Sequence, residues 1–145
     1  MPQINRQQLN QQLQQWAREL GFQQLAISNV ELDAAESHLL NWLQKGHHGE
    51  MDYMQRHGTK RSRPAELEPG TLSVISLRKN YFPPEAESIK LVLNNPELGL
   101  ISRYATGRDN HKLIRTRLQK LVDKMQTAIG EFGYRALNDS PPVME

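Results

Sequence analysis

The stretch Thr71-Leu72-Ser73-Val74-Ile75-Ser76-Leu77 restricts the fold more than any other part of the chain. Its apolar residues fall on both faces of an extended segment, the pattern of a strand buried between two layers. Pro69-Gly70 marks the turn before it, and Pro83-Pro84 ends the extended run that follows through Tyr81-Phe82. Such a strand needs helices to cover it, and the chain supplies them. Leu9, Leu13, Trp16 and Leu20 recur at i, i+4, i+7 and i+11, one stripe of an amphipathic helix that Gly21 stops. Phe22 to Ile27 reads as a short strand. A second helix is predicted from Leu32 to Lys45, a short one from Glu50 to Arg56, and a long one from Leu113 to Ile129. Leu98 to Ile101 is strand-like, residues 85–97 read as a surface excursion, and Tyr134 to Leu137 begins a last extended segment. Helices and strands alternate without a repeat or a linker. The expectation is therefore an α/β fold, a small mixed sheet flanked by helices, in a single domain over residues 1–145.

The chain has no cysteine. That excludes a disulfide framework, a thiolate nucleophile and thiolate-held zinc or iron–sulfur clusters within these residues. No stretch is long and apolar enough to span a membrane and no leader pattern opens the chain, so a soluble cytoplasmic protein is expected. The net charge of +2 is unevenly spread. Residues 99–125 hold seven Lys or Arg against two Asp or Glu, while residues 1–51 hold three against five. A basic face of this kind suits an anionic partner such as an RNA backbone, and equally a solvated helix.

Much of that charge gathers at Arg103-Tyr104-Ala105-Thr106-Gly107-Arg108-Asp109-Asn110-His111-Lys112, between the Leu98–Ile101 run and the long helix. Thr106 and Asp109 would suit a helix cap, but a plain connection does not need so many ionisable and aromatic side chains around one glycine. Strand-to-helix junctions are where α/β proteins build sites. Asp139, after the last extended segment, is the candidate for acid–base work: packed beside a large apolar ligand, its carboxyl would hold and donate a proton near neutral pH. A turn aspartate before Pro141 is the plainer reading. Arg56, Lys60, Arg61 and Arg63 form a second basic group, suited to a phosphate or carboxylate or to solvent. His47, His48, Glu50, Asp52 and His57 match no metal-ligand spacing, so no metal site is expected there.

Taken in order, these segments resemble a known family. His48-Gly49-Glu50-Met51-Asp52-Tyr53-Met54, Arg56-His57-Gly58, Arg61, Arg63-Pro64, Pro69-Gly70-Thr71-Leu72, Val74-Ile75-Ser76, Asn80-Tyr81, Ser102-Arg103-Tyr104-Ala105, Gly107-Arg108-Asp109, His111-Lys112, Asp139-Ser140, Pro142 and Glu145 resemble epoxyqueuosine reductase. That family uses cobalamin and two 4Fe–4S clusters to finish the tRNA wobble base queuosine. The resemblance covers only its amino-terminal, corrinoid-binding part. The cysteine runs that hold the clusters would follow the position of Glu145, so a truncated or split enzyme is implied, with a separate cluster-bearing chain as one possible partner. By position, Asp139 matches the proton donor and Arg56 a corrinoid contact. Tyr104, Arg108 and His111 fall in the junction motif, which would face corrinoid or tRNA. Asn110 departs from the family, which has tyrosine there. Two other readings stay open: a non-catalytic module that holds cobalamin or tRNA, and a plain RNA-binding domain using the basic face.

Overall fold

The computed structural model describes residues 5–80, 89–102, 110–138 and 142. The elements run α1 (Arg6–Glu19), β1 (Gln24–Ser28), α2 (Asp33–Gln44), α3 (Tyr53–Arg56), a 3₁₀ turn (Gly58–Arg61), α4 (Pro64–Leu67), β2 (Val74–Arg78), α5 (Ile89–Leu93) and α6 (Asn110–Ile129). The class is α/β. Among the described residues the sheet consists of β1 and β2, paired antiparallel. The chain groups into two compact units, residues 1–25 with 77–131 and residues 26–76 with 132–145. It passes between them inside β1, inside β2 and after α6 between Glu131 and Phe132, so two of the three passages lie within strands.

In the first unit α1 packs against α6. Asn5 caps α1 by accepting from the Gln7 N–H at 3.0 Å. At the other end the Phe22 N–H bonds the Ala17 carbonyl and the Gly21 N–H bonds that of Arg18, a Schellman turn that folds Phe22 back onto the helix. Gly21 sits at φ +83°, and a Cβ there would lie 2.5 Å from the Arg117 guanidinium. The positive φ favours glycine, while the Arg117 guanidinium, the end of a flexible side chain, would have to shift for any larger residue. The apolar centre is Leu13, Ala17, Phe22, Leu25, Leu121 and Met125, all buried. The Gln14 amide donates to the Leu25 carbonyl at 2.9 Å, and the Gln23 N–H bonds the Arg78 carbonyl.

In the second unit α2 carries Leu39, Trp42 and Leu43 half-buried, with no residue fully buried. Arg135 reaches the Leu67 carbonyl at 3.4 Å and the Glu68 carboxylate at 3.6 Å.

Several elements depart from expectation. β2 starts at Val74, and Leu72 before it is 88% exposed. β2 itself is half-buried to exposed, because a single described strand pairs with it. Leu98–Ile101 forms no strand and lies exposed, while the excursion before it contains α5. Tyr134–Leu137 has no strand pairing among the described residues. No described helix is long and apolar enough to cross a membrane.

Candidate functional site

In the second unit, residues 48–66 turn sharply through α3, the 3₁₀ turn and α4. Gly58, at φ +52°, reverses the chain directly after Arg56 and His57. His48 is buried, with its ring 5.9 Å from that of Trp42. The Gln55 side-chain amide lies 2.7 Å from His48 Nε2, and His48 Nδ1 is buried without a hydrogen-bond partner among the described residues.

The basic group of this segment is not uniform. Arg63 grips Glu36 of α2 in a two-pronged contact, Nε at 2.9 Å and Nη2 at 2.8 Å, and also reaches Glu66 at 3.1 Å. The buried Ser62 hydroxyl donates to the same Glu36 carboxylate. Hydrogen bonds from Arg63 and Ser62 hold the Glu36 carboxyl far below the usual carboxylate range, at about 2. Glu66 is lowered too, chiefly by the Thr59 hydroxyl. Arg63 is therefore a structural clasp between α2 and α4. Arg61 turns inward to the Tyr53 carbonyl, with its Nε buried and unpartnered. Arg56 and Lys60 are exposed and, among the described residues, make no ion pair. Beside them Met51 and Tyr53 are exposed, the Tyr53 hydroxyl donating to Met51 Sδ at 3.3 Å. Exposed apolar side chains and uncommitted cations within one short segment, residues 51–60, suit a ligand with both apolar and anionic parts.

In the first unit α6 carries the basic face. Lys124 is committed to it: Nζ lies 3.0 Å from Glu19 and 5.9 Å from the centre of the Trp16 ring. Lys124, followed by Gln15, lowers the Glu19 carboxyl. Arg117 packs against Gly21. Lys112, Arg115 and Lys120 are exposed, and no acidic residue stands in the first turn of α6 to offset them. His111 opens this stretch and is exposed.

The family described as epoxyqueuosine reductase QueG, DUF1730, matches residues 61–140. The chain is 58% identical over 137 residues to the epoxyqueuosine reductase of Pseudomonas aeruginosa, which covers 94% of this chain and 38% of that protein. This chain belongs to the epoxyqueuosine reductase family. It is also 52% identical over 139 residues to the Vibrio cholerae enzyme (96% of this chain, 37% of the relative) and 51% over 138 to that of Escherichia coli K12 (95% and 36%). The chain thus spans well under half the length of these relatives. No solved structure matches it.

Of the residues matched by position to the reductase motifs, Arg56 ends α3 in the second unit and His111 lies in the first turn of α6 in the first. Tyr104, Arg108 and Asp139 lie outside the described residues, as do Thr106 and Asp109. Among the described residues no group of three or more His, Asp or Glu is arranged to hold a metal ion. The Glu36–Ser62–Arg63 clasp was not foreseen. Its partners are separated by 26 and 27 residues, and no local pattern announces such a pairing.

Proposed function

We propose that this chain is the corrinoid-binding portion of an epoxyqueuosine reductase, the enzyme that reduces epoxyqueuosine to queuosine at the wobble position of tRNA. The observation that carries the reading is 58% identity over 94% of the chain to a protein of that name. Arg56 and Lys60, exposed and without an ion pair among the described residues, support it as cations available to the polar periphery of a ligand. In this reading Arg56 contacts the corrinoid, and Tyr104, Arg108 and His111 face corrinoid or tRNA.

Conversion of the epoxide to an alkene takes two electrons and two protons and releases the oxygen as water. Cobalamin, when bound, would supply the low-valent reducing metal that this chemistry needs. Asp139 donates a proton to the departing oxygen, which requires a carboxyl kept protonated by burial. Lys112, Arg115 and Lys120 hold tRNA phosphates. The 4Fe–4S clusters need cysteines that these residues lack, so their ligands belong to further sequence or to a separate chain. A tRNA substrate places the protein in the cytoplasm.

The test is a titration of cobalamin with this chain, followed by the visible spectrum and by calorimetry. A saturable spectral change that weakens in Arg56→Ala supports the reading, with affinity below that of the full-length Pseudomonas aeruginosa relative. The absence of any spectral change removes the corrinoid assignment. The lack of cysteine favours one other reading, a module that holds cobalamin or tRNA without turnover. Turnover by this chain once a chemical reductant replaces the clusters would exclude it.

A further inference from the structure

Residues 89–101, all in the first unit, carry six large apolar side chains that are 45–66% exposed. Ile89 is 45% exposed, Leu91 66%, Leu93 63%, Leu98 48%, Leu100 52% and Ile101 64%. Within α5 the sequence is Ile-Lys-Leu-Val-Leu, so four of its five residues are apolar. At about 100° per residue Ile89 and Leu93 share one side while Leu91 points the opposite way. A helix with apolar side chains on opposite sides belongs in an interior, yet Ile89, Leu91 and Leu93 are all exposed. Six such side chains in thirteen residues are more than the singly scattered apolar residues of an ordinary surface.

The charge of the segment narrows what can cover it. Lys90 and Glu97 are its only ionisable side chains, so it has nothing with which to hold a phosphate backbone. A five-residue helix without a basic polar face is no membrane anchor. The chemistry of the segment fits an apolar protein surface. In the Pseudomonas aeruginosa relative the region matched to this chain is only 38% of the polypeptide, so most of that protein lies outside the match.

We propose that residues 89–101 are the face on which the remainder of the family polypeptide packs. This rests on family membership alone and not on corrinoid or tRNA binding, so a failed cobalamin titration leaves it standing. The test places the photo-crosslinker benzoylphenylalanine in the full-length Pseudomonas aeruginosa relative, at the positions aligned with Leu91 and, separately, Leu100. Irradiation should join each site to peptides of the same polypeptide outside the matched stretch. Products confined to the matched stretch, products between two copies, or no product at all would overturn the proposal. Hydrogen exchange on the unsubstituted proteins gives an independent reading. The amides of residues 89–101 should exchange at least about tenfold faster in this chain than their counterparts in the full-length relative, and equal rates would overturn it.

Discussion

Replacing Leu121 by alanine removes three carbons from the centre of the α1–α6 contact, where the side chain is only 3% exposed. At about 0.8 kcal/mol per buried methylene the transfer loss is about 2.4 kcal/mol. Ala17 and Met125 are themselves buried and cannot fully close the gap, so a cavity term brings the cost to about 3 kcal/mol. For a chain of this size that lowers the melting temperature by roughly 6–12 °C. Leu91→Ala is the internal control. It removes the same atoms from a residue 66% exposed, so about a third of the transfer term applies, about 0.8 kcal/mol, and no cavity forms. Thermal and urea unfolding followed by circular dichroism measure both variants. If Leu121→Ala costs no more than Leu91→Ala, the α1–α6 core is not what stabilises the first unit.

Gly21→Ala forces an alanine into a positive-φ conformation and against Arg117, and should cost about 1–3 kcal/mol in urea unfolding. A neutral result would show that the Schellman turn and the Arg117 contact do not constrain the end of α1. Glu36 is held at about 2 against an ordinary value of 4.5, so its contribution is complete above pH 4.5 and disappears as the pH falls toward 2. Glu36→Gln should therefore be less stable than the parent at neutral pH, with the difference shrinking across that acid window. A gap independent of pH would remove the charged clasp. Charge reversal at Lys112, Arg115 and Lys120 together should weaken tRNA binding and flatten the slope of log affinity against log salt by up to about 2, at about 0.7 per single-strand phosphate. An unchanged slope would remove these residues from the RNA face.

The long elements were legible because they repeat. The Leu9–Leu13–Trp16–Leu20 stripe and Gly21 locate α1 and its stop, and Leu118, Leu121 and Met125 mark the inner face of α6. The 3₁₀ turn, α4 and α5 are too short to establish a period, and they escaped notice. Leu98–Ile101 looked like a strand because three apolar side chains in four residues are the same pattern whether a sheet covers them or not. At the candidate site, spacing grouped Arg56, Lys60, Arg61 and Arg63 as equals. Only the fold separates the exposed Arg56 from the Arg63 that Glu36 has claimed, since a carboxylate 27 residues away leaves no local trace.

The most direct test of the account is a chimera in which this chain replaces the matched 137 residues of the Pseudomonas aeruginosa relative. It is assayed by the conversion of epoxyqueuosine to queuosine in tRNA from cells that lack the native enzyme. The account predicts that the chimera restores queuosine, and that Asp139→Asn lowers the rate by roughly 10²–10⁴-fold while cobalamin binding is unchanged. A chimera that folds and binds cobalamin but makes no queuosine would contradict the account, and an Asp139→Asn variant within about twofold of the parent would remove Asp139 from the mechanism.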